Sequence, residues 1–131
     1  MGKVSGLDNL SFARYLPKLS QYKDSEYFML NEKDRAIFIS YRTTPLSNPV
    51  SSTHFELQLE PNEGICYILG LNIEKSKRKQ GIGRSLVRMI ERICQDHRIN
   101  RLVTTPSGQG REFWPKVGFV HFNETESEKI I

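Results

Sequence analysis

Between His54 and Glu60 the chain alternates strictly, with Phe55, Leu57 and Leu59 on one side and His54, Glu56, Gln58 and Glu60 on the other. A period of two marks a strand with one face in a core and the other toward polar surroundings. The following run, Ile65 to Ile73, is almost continuously apolar and predicts a longer, more buried strand, with Pro61-Asn62-Glu63-Gly64 turning the chain between them. Gly70 interrupts this run, and a glycine inside a strand marks a bulge or a close backbone approach. Upstream, the apolar runs at 27–30 and 36–41 flank Asn31-Glu32-Lys33-Asp34, which predicts a hairpin with a loop of four to five residues.

The period changes after residue 80. Ile82, Leu86, Met89, Ile90, Ile93, Cys94 and His97 follow helical spacing and predict an amphipathic helix from Gly81 or Ile82 to His97, with Arg84, Arg88 and Arg92 striping another side. Arg101 to Thr105 reads as a short strand stopped by Pro106. A short helix over 108–116 follows, ended by Gly118, then a strand over 119–122 and a last strand over 127–131. At the N-terminal end, Leu7, Leu10, Phe12, Tyr15, Leu16 and Leu19 suggest one or two short helices interrupted by Pro17, and Pro45, Asn48 and Pro49 place a loop at 43–52. The order is a helical start, about four antiparallel strands, helix, strand, helix and strands: a mixed α/β (α+β) sheet. No repeat or linker divides the chain, so residues 1–131 read as one domain.

Composition narrows the class. Hydrophobic residues make up 37% and charged residues 26% of 131 positions, as in an ordinary globular chain rather than a disordered one. No apolar run reaches the roughly 18 residues of a membrane span. No signal-peptide core follows Met1, and Gly6 stands where a myristoylation pattern needs Ser or Thr, so a cytoplasmic protein is expected. Cys66 and Cys94 have neither zinc spacing nor a disulfide framework and read as buried small hydrophobes. The net charge is +4, with Lys75, Lys77, Arg78 and Lys79 clustered within five residues and Glu124, Glu126 and Glu128 near the other end. The basic cluster suits a phosphate-rich cofactor or simply solvates a loop. A nucleic-acid site is the weaker reading, because no aromatic residues interleave the charge.

The candidate chemistry centres on Arg78-Lys79-Gln80-Gly81-Ile82-Gly83, lying between the apolar strand and the amphipathic helix. A strand, a glycine-rich turn and a helix N-terminus make an anion site, because successive backbone N–H groups and the helix dipole favour negative charge there. A side chain at Gly81 or Gly83 would hold a phosphate off the backbone. A nucleotide P-loop does not fit, since Gly83 is followed by Arg84-Ser85 rather than Lys-Ser or Lys-Thr. A dinucleotide fingerprint does not fit either, since Leu86 stands at its third glycine and hairpins come first.

The same segment resembles the acyl-CoA motif of the GNAT superfamily of N-acyltransferases, whose pattern is Gln or Arg, any two residues, Gly, any residue, Gly or Ala; Arg78, Gly81 and Gly83 satisfy it. Phe113-Trp114-Pro115-Lys116-Val117-Gly118-Phe119 is similar to a second element of that family, an aromatic pair followed by Lys and Gly-Phe. The resemblance covers about residues 25–123. It implies a central, mostly antiparallel sheet flanked by helices, with an acyl-CoA cleft between two splayed strands, and acetyl-CoA as the cofactor. It further implies a diphosphate cradle of Lys79, Gln80, Gly81, Ile82, Gly83 and Arg84, with Arg78 also among the cofactor-binding residues. A pantetheine arm would pair with Leu69, Leu71 and Ile73, the Leu71 N–H would serve as oxyanion donor, and Gly70 would mark the splaying bulge. Ser107 and Phe113 complete the cofactor set.

The family's usual proton-transfer groups are replaced here. Trp114 stands where the resemblance places a tyrosine acid, Ser107 where it places an asparagine, and Tyr67 where some members carry a glutamate base. Trp114 either walls the thioester or anchors the fold, and Tyr67 either relays a proton or lines the acceptor wall. Glu63, His54 and Glu56 are the candidate bases, set against a turn residue and a solvated strand face. The candidate catalytic set is thus Leu71, Tyr67, Trp114 and Glu63. The activity implied is transfer of acetyl to a primary amine of a small molecule or a protein, by a monomer or homodimer. The alternative is a catalytically silent acyl-CoA-binding module.

Overall fold

In the computed structural model, residues 3–5, 27–42, 53–73, 81–108 and 110–131 are described. The helical start expected over 7–23, the loop at 43–52 and the basic run Lys75 to Gln80 lie outside the described residues. Among the described residues eight strands form one sheet: β1 (Lys3–Ser5), β2 (Tyr27–Lys33), β3 (Ala36–Arg42), β4 (His54–Glu60), β5 (Ile65–Asn72), β6 (Arg101–Thr104), β7 (Val120–His121) and β8 (Ser127–Ile130), in the order β1-β2-β3-β4-β5-β6-β8-β7. The pairs β1–β2 and β5–β6 are parallel and the rest antiparallel. Helix α1 (Ile82–Asp96) joins β5 to β6, and α2 (Gly110–Lys116) joins β6 to β7. The parallel pair needs this crossover, because a hairpin cannot join strands that run the same way. β1 is a strand that the hydrophobic pattern does not announce.

The first hairpin is tighter than its polar residues suggest. β2 and β3 run on to Lys33 and Ala36, leaving Asp34 and Arg35 alone at the turn, with φ of 52° and 71°. Two left-handed residues in succession match the right-handed twist of the strands, which a looser turn would splay. Arginine is not a residue that advertises this conformation. The strand expected over 119–122 also shortens, to Val120–His121. The chain then turns at Asn123, whose Oδ1 accepts the N–H groups of Thr125 (2.9 Å) and Glu126 (2.8 Å).

The two-residue alternation of β4 continues across the sheet. Ile39, Tyr41, Phe55, Leu57, Leu59, Cys66, Ile68 and Leu102 share one buried face, set by the β3–β4, β4–β5 and β5–β6 registers. The apolar stripe of α1 covers it with Ile82, Leu86, Val87, Met89, Ile90, Ile93 and Cys94. Each such side chain taken fully out of water contributes about 1.5–3 kcal/mol. Cys66 and Cys94 are free thiols, both buried where β5 meets α1, and a hydrogen bond between them, then burial, pushes the Cys66 thiol up. They pack as small hydrophobes, and the Cys66 thiol keeps its proton.

Both described helices lie on this face. Lys129, whose register partner is the core residue Leu102, pairs with Glu91 of α1 at 2.7 Å. A methyl on Gly118, just past α2, would stand 3.0 Å from the same lysine. The opposite face carries Ser40, Arg42, His54, Glu56, Gln58 and Tyr67, by the alternation of β3, β4 and β5.

Arg35 is exposed, so the turn supplies a direct test. Arg35→Gly removes the cost of holding an L-residue at positive φ, about 1 kcal/mol, and raises the urea midpoint without changing its slope.

Candidate functional site

The β5–β6 ladder runs from Ile65↔Arg101 to Ile68↔Thr104 and stops there. Two local causes coincide. Pro106, two residues on, has no N–H to donate and cannot extend a ladder. On β5, the register with β4 slips by one residue: Leu57 faces Ile68, but Glu56 faces Gly70, leaving Leu69 as the extra residue of a bulge. The bulge foreseen from Gly70 is therefore present, one residue earlier.

The slip decides which way the backbone points. The N–H of Arg101 donates to the carbonyl of Gly64 (3.2 Å), so Gly64, Cys66 and Ile68 turn their backbone groups toward β6. After the slip the parity inverts, and Gly70 and Asn72 face Glu56 and His54 of β4. Leu71 then turns its N–H and C=O toward the β6 side, where no strand remains among the described residues. The sequence grouped Leu69, Leu71 and Ile73 as one such edge. Leu69 leaves the group, because the inserted residue does not follow the alternation; its side chain is 56% exposed. Leu71 and Ile73 are half-buried and pack against the core.

β6 enters the sheet parallel to β5 at the level of Ile65, so α1 runs back across the sheet and starts at the same end as Leu71. Its N-cap is Gly81, at φ 80° and ψ 5°, with no side-chain cap. The first helical bond is the Ser85 N–H to the Gly81 carbonyl (3.1 Å), which leaves the N–H groups of Ile82, Gly83 and Arg84 without partners inside the helix. No acidic residue lies in the first turn, and Arg84 is exposed there. The terminus thus holds its dipole charge with a cation added, and a methyl at Gly81 would meet nothing within 4 Å. This geometry fits a phosphate group, which needs amides, positive potential and open space together.

The two glycines have different reasons. A methyl at Gly83 would stand 2.8 Å from Cε1 of Phe113, so this glycine admits the α2 ring against the start of α1 rather than clearing space for a phosphate. Phe113 is half-buried there, a brace for the anion-holding turn. Trp114 is only 6% exposed, edge-on to Phe113 (5.1 Å) and Phe119 (4.9 Å). It packs as an anchor of the core.

Glu63 lies away from this end of the sheet. It sits in the turn before β5, its N–H bonded to the Glu60 carbonyl at 3.0 Å. The six strand steps from Ile65 to Leu71, at roughly 3.3 Å each, span roughly 20 Å and separate Glu63 from Leu71, too far for any shared proton. Tyr67 is half-buried on the face away from α1, between Gln58 and Val103. Ser107 is exposed just past β6, at the Leu71 end, its carbonyl accepting the Gly110 N–H (2.9 Å). Arg78, Lys79 and Gln80 lie outside the described residues. The structure adds Pro106 and the register of Glu56 and His54, whose nearness to Leu71 only strand pairing reveals.

The model of the acetyltransferase (GNAT) family matches residues 9–119. Among solved structures, the chain resembles an acetyltransferase from Bacillus cereus (TM-score 0.61, 17% identity, covering 97% of this chain and 96% of that one). It also resembles Tetrahymena GCN5 (TM-score 0.57, 17% identity, 92% and 81%). A third is the PaiA N-acetyltransferase of Thermoplasma acidophilum in complex with coenzyme A (TM-score 0.54, 18% identity, 74% and 62%). No curated protein matches the sequence.

The contact at Gly83 predicts a change of sign. Gly83→Ala gains up to about 1 kcal/mol of helix propensity but loses about 1–3 kcal/mol by crowding Phe113. It destabilises the native chain and stabilises a Phe113→Ala background, as a double-mutant cycle of urea midpoints reads directly.

Proposed function

The chain belongs to the GNAT family of acetyltransferases, and on that premise we propose that it transfers an acetyl group from acetyl-CoA to the primary amine of a small molecule or protein. One observation carries the reading: the outward-turned backbone of Leu71 and the uncapped start of α1 lie at the same end of the sheet. A diphosphate and an extended amide-bearing arm need these two surfaces, in this order. A cytoplasmic location goes with the reading.

The N–H groups of Ile82, Gly83 and Arg84 hold the diphosphate, with the Arg84 guanidinium adding charge and Gly81 leaving room. The C=O of Leu71 accepts from an amide of the arm as a neighbouring strand would. When bound, acetyl-CoA supplies an acetyl group activated as a thioester. The Leu71 N–H is placed to donate to the acyl carbonyl oxygen as negative charge grows there, and such a donor contributes about 2.7–4 kcal/mol to the transition state. Phe113 and Trp114 keep the start of α1 fixed, so that these amides are oriented before the ligand arrives.

Coenzyme A titrated calorimetrically into the protein tests the reading. Gly81→Asp places a carboxylate where the diphosphate is held and weakens binding by at least about tenfold, or about 1.4 kcal/mol. Gly81→Asn, which tolerates positive φ without the charge, loses less. An unchanged affinity for Gly81→Asp removes the reading. Binding without thiol release across a panel of amines leaves a binding module instead of an enzyme.

A further inference from the structure

Gly70 has no structural reason to be glycine. Its φ is not in the left-handed region, and a methyl there would meet nothing within 4 Å. Among the described residues the space above it is open, on the sheet face away from α1 and α2. Directly across from it on β4 stands Glu56, which is exposed, and across from Glu56 on β3 stands Ser40. The next residue of β5 is Leu71, whose N–H points into the gap left by β6. Glu56 has no ion pair or side-chain hydrogen bond among the described residues. Its neighbours on that face are His54 and Gln58 on its own strand, Arg42 and Phe38 diagonally on β3, and Asn72 and Tyr67 diagonally on β5. Gln58 is engaged by Glu60 at 2.7 Å, and His54 and Asn72 have partners of their own.

Resting on the acetyl-CoA reading above, we propose that Glu56, reaching over the bare backbone of Gly70, receives the ammonium group of a primary alkylamine acceptor and takes its proton. Both described helices occupy the other face, so this one is the approach to the Leu71 N–H that they leave open. An alkylamine with a pKa near 10.4 is neutral in only about one molecule in 2,500 at pH 7. A carboxylate beside the thioester attracts the abundant ammonium form and removes the proton that blocks its lone pair. The neutral nitrogen then forms the C–N bond as the C–S bond breaks, with the electron pair passing to sulfur. The second nitrogen proton neutralises the departing thiolate, and Glu56 gives the first to water. One ammonium and one thioester become one amide, one thiol and one proton. Any side chain at position 70 would stand between the carboxylate and the acyl carbon, which accounts for the glycine.

The test measures coenzyme A affinity by calorimetry and thiol release from acetyl-CoA with two probes, butylamine and the weakly basic aniline. Glu56→Gln keeps the affinity and loses about a hundredfold in kcat/KM with butylamine, but far less with aniline, which is already neutral at pH 7 and has no ammonium proton to lose before it attacks. Glu56→Asp recovers part of the loss. Gly70→Val folds with equal or greater stability, keeps the affinity, and loses turnover with both amines. The proposal is overturned if Glu56→Gln affects the two amines equally or neither, if Gly70→Val retains native turnover, or if the native protein binds coenzyme A yet releases no thiol with either probe. Failure of the native protein to bind coenzyme A brings down the underlying reading instead.

Discussion

The early end of the β5–β6 ladder is the constraint from which the site follows. Had pairing continued past Ile68 and Thr104, the backbone of Leu71 would be consumed by a neighbouring strand. Had β5 no bulge, the gap would open but Leu71 would face β4, and Gly70 would present its backbone to the gap. Both the stop and the phase inversion are required. Buried backbone groups are almost always paired, so a half-buried strand edge without a strand neighbour is a conspicuous place for a ligand to complete the sheet.

The two ends of α1 complement that gap. At its C-terminus the helix is finished internally: Arg98 adopts φ 59°, the Ile99 N–H bonds the Cys94 carbonyl at 2.8 Å, the Arg98 N–H bonds the Gln95 carbonyl at 3.1 Å, and the His97 ring meets the Ile93 carbonyl at 2.8 Å. At its N-terminus no side chain performs the equivalent service. One end is closed by the chain itself and the other is held open, with the seven buried residues between them clamping the helix to the sheet.

Much of this was legible in the sequence, wherever a local period or local chemistry governs. The alternation of β4, the stripe of α1, Gly118 past α2 and the bulge near Gly70 all follow from residues within a few positions of each other. What escaped depends on distant pairs. Phe113 lies thirty positions from Gly83, and nothing local says that the glycine makes room for its ring. Trp114 is an aromatic whose depth only the surrounding cluster sets. Glu63 and Glu56 look equally suitable as bases until the register places one at each end of β5. The Asp34-Arg35 turn was hidden for a different reason, since its conformation is imposed by strand twist and not by residue preference.

The order β6-β8-β7 has a kinetic side. β7 precedes β8 along the chain, yet it touches the sheet only through β8, which lies between it and β6. Strand addition at this edge is therefore out of order: Val120 and His121 must wait, unpaired, for residues translated after them. β8 also carries Lys129, the partner of Glu91 on α1. The element that admits β7 is thus the same one that ties α1 to this edge of the sheet.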